Sequence, residues 1–312
     1  HLNNDHCFPI IFIPNNLNCI MSELSVPLNM KLQASIKSQN TKNPIRNIVD
    51  NLKRPVDHPA SFINLGLGDP TVAGNLPRPE ALTNILKDVL GSCSFDGYGP
   101  STGLVDAREA IAKTASFEGY ECSADNVVIG SGCSGALELV ISVLMDAGDN
   151  LLIPCPGFPL YQVLCESLSA EVKKYNLLPG SNWECDLAHM ESLITPRTKL
   201  AKKHSLPIIA DEIYGGVVFH GSFTPIHELT TDVPVFTVGG IAKEFVVPGW
   251  RVGWVTLHDR TSGQVASELL AGLKSLSQLI LGANSVIQAC LPRLLTRDPT
   301  SPDFDLINSF GA

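Results

Sequence analysis

The stretch Val233–Trp254 reads VPVFTVGGIAKEFVVPGWRVGW and places one lysine in apolar surroundings. An apolar run ends in the glycine pair 239–240, and Lys243 follows three residues later, just before the apolar run 245–247. Most lysines lie on solvated surfaces. Removal from water favours the neutral, nucleophilic amine that a Schiff-base lysine requires. The alternative is a structural lysine whose chain passes apolar neighbours to reach solvent. Other residues of the sequence distinguish the two interpretations.

From Asn126 onward the chain repeats a short apolar strand, a turn and a helix. The predicted strands are 126–130, 150–154, 171–177, 206–210, 234–238 and 251–257, and the predicted helices are 79–90, 104–115, 136–145, 162–168 and segments within 263–295. This alternation predicts an α/β fold, a three-layer α/β/α sandwich with a mostly parallel sheet. Ligands of such sheets bind at the carboxyl ends of the strands.

Composition and charge restrict the class of protein. The 312 residues are 44% apolar and 17% charged, which is typical of a globular protein with a sizeable core. A net charge of -9 without a basic run argues against nucleic acid or a membrane as the main partner. The nine cysteines show neither a CxxC pair nor zinc-site spacing, so we expect reduced thiols, no metal site and a cytoplasmic protein, with mitochondria as the other location considered.

A glycine-rich turn, Gly130–Gly135 (GSGCSG), joins a predicted strand to a predicted helix. Small residues and helix N-terminal N–H groups favour a phosphate, here at Gly132, Cys133 and Ser134. The same letters match the dinucleotide pattern GxGxxG, so an NAD-dependent oxidoreductase is an alternative, ranked second because the next strand ends without the acidic residue that holds the ribose. A tight strand–helix junction without a ligand is the third interpretation.

Other candidate ligand groups follow strands. Asp211 comes directly after an apolar strand, where a carboxylate suits a pyridinium nitrogen, and Tyr214 could bond a ring hydroxyl; an N-cap is the alternative for Asp211. Phe158, on a proline-rich loop, could stack on a heteroaromatic ring or simply pack. The guanidinium of Arg251 could bind a phosphate through two N–H groups, or it could form a surface ion pair. Together with Lys243, these residues predict a pyridoxal 5'-phosphate site.

Seven segments carry a resemblance to a known family. The sequence resembles the class-I aminotransferases, pyridoxal-phosphate enzymes of fold type I, and within them the tyrosine branch. The segments are NLGLGDPT (64–71), YGPSTG (98–103), IGSGCSGALEL (129–139), PCPGFPLY (154–161), YNLLPGSNWECDL (175–187), IADEIYGGVVF (209–219) and GGIAKEFVVPGWRVGW (239–254).

The resemblance implies roles for the same residues. Lys243 would bind the cofactor covalently and act as general base, Asp211 would pair with the ring nitrogen, and Tyr214 would bond the phenolic oxygen. Phe158 would stack on the ring, whereas the phosphate would contact Cys133, Ser134 and Arg251. Gly68 would approach the substrate carboxylate, and Tyr98 would reach the phosphate of a neighbouring subunit, which implies a homodimer. The implied reaction transfers the amino group of tyrosine or a related aromatic amino acid to 2-oxoglutarate, giving 4-hydroxyphenylpyruvate and glutamate.

Two departures from the family set the expected limits of this chain. A strand and an Asn-Pro-x-Asn-Pro segment that the family has are missing between Leu200 and Lys203, and the arginine for the substrate carboxylate, in the family's small domain, has no counterpart before Ala312. We therefore expect an impaired or inactive enzyme. A non-catalytic remnant that binds the cofactor or competes for dimer formation is the alternative.

The expected domains follow from the same comparison of segments. Residues 1–42 are predicted to be a disordered or atypical N-terminal segment, in which Met21 is a candidate initiator, and residues 43–75 an arm and part of a small domain. Residues 76–295 are predicted to form the cofactor-binding large domain, with the internal deletion near 200–203. Residues 296–312 are predicted to be the truncated start of the C-terminal small domain.

Overall fold

The structure is a computed structural model that describes residues 33–53, 56–57, 59, 66, 68–71, 78–198, 207–261 and 265–297. The chain divides into two units, residues 1–35 and 36–312, and the elements below all belong to the second. The helices are α1 (Ile36–Asn40), α2 (Pro44–Asn51), α3 (Glu80–Ser92), α4 (Val105–Thr114), α5 (Gly132–Leu144), α6 (Leu160–Ser167), α7 (Leu187–Ser192), α8 (Ile226–Leu229), α9 (Val265–Ser277), α10 (Ser285–Gln288) and α11 (Leu291–Leu295). The strands are β1 (Val127–Gly130), β2 (Asn150–Cys155), β3 (Glu171–Leu178), β4 (Glu184–Cys185), β5 (Ile208–Asp211), β6 (Val235–Gly240) and β7 (Gly253–His258).

The strands form two sheets, with the orders β1-β7-β6-β5 and β2-β3-β4. The pairs β5–β6 and β2–β3 are parallel, whereas β7 runs antiparallel to both β1 and β6, and β4 antiparallel to β3. The α/β class is confirmed, but the expectation of a mostly parallel sheet is wrong for β7. The connection 241–252 contains turns and the short 3-10 turn Pro248–Trp250, with no helix to carry the chain back across the sheet. The chain therefore returns beside β6 in the opposite direction.

Helices cover both faces of the larger sheet. Along β1, Val127 and Ile129 pack into a cluster with α3, α4 and α11, whereas Val128 packs into a second cluster with α5 and α9. Successive side chains of a strand point to opposite faces, so the two clusters are the two outer layers of the predicted three-layer sandwich. Burial on both faces explains why the strands are continuous apolar runs.

Most predicted elements are present, with shifted ends. Helix α5 begins at Gly132, four residues before the predicted start, because Gly132 at φ +70 turns the chain directly from β1 into the helix. The described residues 265–295 form three helices, and Leu281 and Gly282, both with positive φ, turn the chain between the first and the second of them. The Asn284 side chain then accepts the N–H of Ile287 at 3.0 Å and starts α10.

Parts of the predicted domain organisation fall where the structure gives no description. The deletion near 200–203 lies outside the described residues, as do residues 1–32 and 298–312. Helix α1 lies within the segment predicted for 1–42. No helix in the described ranges is long and apolar enough to cross a membrane.

Candidate active site

The carboxylate of Asp211 lies at the carboxyl end of β5 and accepts three hydrogen bonds. The Tyr161 hydroxyl donates to Oδ2 at 2.7 Å, the Cys133 thiol donates to Oδ1 at 3.4 Å, and the Ile213 N–H donates to Oδ1 at 3.4 Å. Burial, and then the charge of Asp211, raise the pKa of both Tyr161 and Cys133 above their ordinary values. Both groups therefore stay protonated and keep Asp211 as an acceptor in a fixed orientation.

The first turn of α5 presents unpaired helix N–H groups close to this carboxylate. An α-helix leaves its first N–H groups without an intrahelical acceptor. The N-cap residue Ser131 makes no side-chain hydrogen bond to them. The N–H groups of Gly132, Cys133 and Ser134 are thus available to an anion, which the helix dipole of this 13-residue helix also favours.

The guanidinium of Arg251 lies against the same turn. Its Nη2 donates to the carbonyl of Ser131 at 3.2 Å and its Nη1 to the carbonyl of Pro248 at 3.1 Å. A Cβ on Gly132 would lie 2.6 Å from Nη2, so this glycine is needed for the close approach as well as for its φ of +70. Arg251 precedes β7 rather than opening it, and its φ of +53 bends the chain before Gly253.

Glycine at 253 brings this arginine and the helix together. A Cβ at Gly253 would lie 2.3 Å from the backbone nitrogen of Cys133. Strand β7 therefore packs directly on the first turn of α5, and the result is a cradle of N–H groups and a guanidinium that suits an anion, next to the carboxylate of Asp211, to which the Cys133 thiol donates.

Lys243 lies in the turn that follows β6. The Phe245 N–H donates to the carbonyl of Ile241 at 3.3 Å, and the Val246 N–H donates to that of Lys243 at 3.2 Å, which closes a helical turn around the lysine. Phe245 and Val246 are buried and anchor the turn, whereas Lys243 is half-buried. Its Nζ lies 5.5 Å from the centre of the Tyr214 ring, a cation–π distance.

The turn at residues 68–71 also lies near this lysine. The hydroxyl and the N–H of Thr71 donate to Asp69 at 2.7 and 2.9 Å and are the main reason that the pKa of Asp69 is lowered; the charge of Lys243 contributes in the same direction. Gly68, next to Asp69, has a φ of +63. The structure thus brings the predicted residues Gly68, Tyr214 and Lys243 to one side of the molecule.

The predicted aromatic residues Phe158 and Tyr98 lie at the surface, as does Tyr214. Phe158 is 44% exposed and meets the ring of Tyr161 edge to face, with centroids 5.7 Å apart. Tyr98 is 95% exposed, so within one chain its ring is left to solvent. The stacking role of Phe158 and the intersubunit role of Tyr98 remain predictions.

Sequence reasoning missed the partners of Asp211. Tyr161 stands in the quoted segment 154–161, but only Phe158 was assigned a role there, and Cys133 was expected to contact phosphate rather than to donate its thiol to a carboxylate. The one sequence signal for the contact between Tyr161 and Asp211 is that a tyrosine follows the end of a predicted strand. Among the described residues, no group of three or more His, Cys, Asp or Glu side chains is arranged to hold a metal ion.

The family follows from comparison with known proteins. The profile of the family described as aminotransferase class I and II matches residues 60–200 and 198–301. The chain belongs to this family. Because the match comes as two segments that meet at 198–200, the profile does not run continuously through this point.

The individual relatives that match the chain include tyrosine aminotransferases. The chain is 42% identical to a tyrosine aminotransferase of Bos taurus over 294 residues, covering 86% of this chain and 66% of that one. It is 40% identical to a tyrosine aminotransferase of Homo sapiens, covering 88% and 68%. The chain therefore spans about two thirds of the length of these relatives.

Solved structures show the same fold. A tyrosine aminotransferase from Leishmania infantum superposes with a TM-score of 0.79 at 32% identity, covering 89% of this chain and 74% of that one. An alanine aminotransferase from Pyrococcus furiosus gives a TM-score of 0.76 at 25% identity, covering 89% and 75%.

Proposed function

We propose that the site binds pyridoxal 5'-phosphate and that the reaction of this lineage is amino transfer from tyrosine and related aromatic amino acids to 2-oxoglutarate. The observation that carries the proposal is the placement of Asp211, the α5 N-terminus and Arg251 around one space, with Lys243 at the end of the neighbouring strand β6. The donor substrate is inferred from the names of the relatives, because the described residues do not include a complete substrate pocket.

The residues present fit this cofactor. The absence of a side chain at Gly132 lets the Arg251 guanidinium lie directly against the first turn of α5, so N–H groups and a guanidinium stand side by side, and such donors suit a phosphate. Asp211 offers a carboxylate, oriented by Tyr161, to a protonated ring nitrogen. Pyridoxal phosphate, when bound, supplies an electron sink for charge at the α-carbon of an amino acid.

The chain's own groups would do the remaining chemistry. Lys243 would hold the cofactor through its amine and then move a proton at the α-carbon of the substrate, as a general base. Tyr214, whose ring lies beside Nζ, would donate to the ring oxygen of the cofactor, and Phe158 would cover the ring. The exposed Tyr98 would act in a homodimer by reaching the phosphate bound to the partner subunit.

We also propose that this chain turns over poorly. The family profile breaks at 198–200, next to the deletion predicted near 200–203. The alignment to the bovine relative runs over 294 positions but covers 86% of 312 residues, so part of that relative lies opposite a gap in this chain. A missing interior strand would leave sheet edges without partners, which costs stability as well as an active-site residue.

The NAD alternative has little support from the fold. A dinucleotide-binding turn joins two parallel strands that are neighbours in one sheet. Here β1 pairs with β7, and β2, the strand after α5, belongs to the other sheet. We therefore assign the glycine-rich turn to the phosphate of pyridoxal phosphate in our proposal, rather than to a dinucleotide.

The experiment is to mix purified chain with pyridoxal phosphate, reduce with borohydride and locate the label by peptide mass spectrometry. We expect the label on Lys243 and its loss in Lys243→Ala, with Lys274→Ala as a control at another lysine. Tyrosine turnover with 2-oxoglutarate is measured on the same sample. Labelling with turnover far below that of a full-length relative supports both proposals; labelling with normal turnover overturns the impairment, and no specific label overturns the cofactor site.

A further inference from the structure

Glu244, the residue directly after Lys243, is joined to a distant part of the chain. Its Oε1 accepts a hydrogen bond from Nη2 of Arg297, which lies two residues after the end of α11. Only 23% of the Glu244 side chain and 15% of the Arg297 side chain are exposed. An ion pair that is withdrawn from water to this degree is screened less than one at the surface.

Arg297 is itself fixed by groups of the protein core. Its Nη1 donates to the carbonyl of Leu294 at 3.2 Å, and its guanidinium carbon lies 4.6 Å from the centre of the Phe245 ring, a cation–π distance. Leu294 and Phe245 are both fully buried and belong to one hydrophobic cluster. The guanidinium therefore has a defined position, from which it holds the carboxylate of Glu244.

The second carboxylate oxygen of Glu244 lies against Gly216. A Cβ on Gly216 would overlap Oε2 of Glu244, so the close approach of the carboxylate requires glycine at this position. Gly216 follows Tyr214 by two residues, in a turn where the Val217 N–H donates to the carbonyl of Tyr214 at 2.9 Å. Glu244 thus connects the turn that carries Lys243 with the turn that carries Tyr214.

The contact between Lys243 and Tyr214 alone does not fix the lysine. Nζ lies 5.5 Å from the centre of the Tyr214 ring, but this ring is largely exposed, and a cation–π contact contributes little at an exposed site. A lysine side chain also loses much rotamer freedom when it is ordered. The ion pair one residue further along the chain supplies the additional restraint between the two turns.

We propose that Glu244 and Arg297 are positioning residues for Lys243, because their ion pair fixes the turn that carries the lysine against the turn that carries Tyr214. The proposal rests on the role of Lys243 in the proposed function and adds two residues to it. The pair would hold the amine at the distance and in the direction that bonding to the cofactor requires. Displacement of a reacting group by roughly 1 Å can slow a reaction about a hundredfold.

The first experiment needs no cofactor. The full chain is treated with a trace of acetic anhydride, and peptide mass spectrometry gives the acetylation of Lys243 relative to Lys274, another half-buried lysine. Glu244→Gln keeps the shape of the side chain and removes its charge. We expect Lys243 to be acetylated about two- to fivefold faster in this variant, because its side chain is released from the Tyr214 ring, while Lys274 is unchanged.

The second experiment measures how fast pyridoxal phosphate gives a borohydride-stable label on Lys243. We expect the rate to fall roughly tenfold in Glu244→Gln, opposite to the change in acetylation. Local unfolding would instead speed acetylation of both lysines and lower the melting temperature. Arg297→Lys keeps the positive charge without the planar guanidinium and should change both rates in the same directions by less; it decides the question if Glu244→Gln does not fold.

Asp88→Asn is the matched control. Asp88 accepts a hydrogen bond from Arg293 of the same helix α11 at 2.8 Å, but this pair is exposed and lies away from the lysine turn. It should leave both rates unchanged. Unchanged rates in folded Glu244→Gln, or an equal effect of Asp88→Asn, would overturn the proposal. Faster acetylation with an unchanged labelling rate would show shielding without positioning and would also overturn it.

Failure of the proposed function gives a different result. If the unaltered chain takes up no label on Lys243, the cofactor site is wrong. The acetylation ratio then still decides whether the ion pair of Glu244 and Arg297 holds the lysine in place.

Discussion

The hydroxyl of Tyr161 donates to Oδ2 of Asp211 at 2.7 Å and joins the first turn of α6 to the end of β5. The contact links the helix after β2 of one sheet to β5 of the other, so it orients a carboxylate that β5 alone would leave free to turn. Burial raises the pKa of the tyrosine above its ordinary value, which keeps the donor proton in place. In the proposed cofactor site, Tyr161 would therefore position the carboxylate that faces the ring nitrogen.

Replacement of Tyr161 by phenylalanine removes this donor and leaves the ring. A hydrogen bond to a charged group contributes about 1.5–3 kcal/mol, so we expect pyridoxal-phosphate affinity to fall roughly tenfold or more. Affinity is measured by absorbance titration. Tyr175→Phe is the control, because Tyr175 is another partly buried tyrosine, whose hydroxyl interacts with Cys185 instead. An equal effect of both variants would contradict the positioning role.

Gly132→Ala should damage the anion cradle. The new Cβ would meet the Arg251 guanidinium at 2.6 Å, and the φ of +70 costs a non-glycine residue about 1–2 kcal/mol. We expect weaker binding of pyridoxal phosphate while pyridoxal, which lacks the phosphate, is little affected. Gly135→Ala is the matched control within the same helix, because its Cβ would be 3.4 Å from its nearest neighbour. An equal loss of affinity for pyridoxal phosphate and for pyridoxal would mean that the helix itself had moved.

The sequence predicts the site residues that follow strands but not the contacts among them. Lys243 and Asp211 each stand at the end of an apolar run, and their place at the sheet edge follows from strand direction alone. Asp211 and Tyr161 are 50 residues apart in the sequence. Their contact depends on how the strands are arranged in space, which no local pattern encodes. The reversed direction of β7 is also non-local, because it follows from the lack of a crossover helix after β6.

Thiol labelling tests the burial pattern. Burial raises the pKa of Cys122 and Cys290 to about 11 and that of Cys165 to about 12. Burial also raises the pKa of Cys133, and the charge of Asp211 raises it further. Since the thiolate is the reactive form, we expect iodoacetamide at pH 8 to spare these four in the folded chain. The exposed thiols should be modified first: Cys93, Cys155 and Cys185. Denatured protein, labelled at every position, is the control, and early labelling of Cys133 would contradict its contact with Asp211.

A pair of buried histidines should make the fold sensitive to acid. The rings of His227 and His258 stack with centroids 3.8 Å apart, and His258 Nδ1 lies 3.1 Å from the Tyr120 hydroxyl. Burial, followed by the neighbouring His227 and Arg260, lowers the pKa of His258 to about 3, and burial also lowers that of His227. Both rings are therefore neutral in the folded protein at neutral pH.

The sign of the pH dependence follows from these depressed values. An unfolded histidine binds a proton below about pH 6.5, whereas folded His258 does so only near pH 3. The free energy of unfolding should thus fall as the pH drops from 6.5, by about 2 kcal/mol at pH 5 from His258 alone. Urea titrations at pH 7.5 and pH 5 measure the difference. His258→Asn should reduce it, and His220→Asn, at an exposed position, should leave it unchanged. An unaltered difference in His258→Asn would show that other groups cause the acid sensitivity.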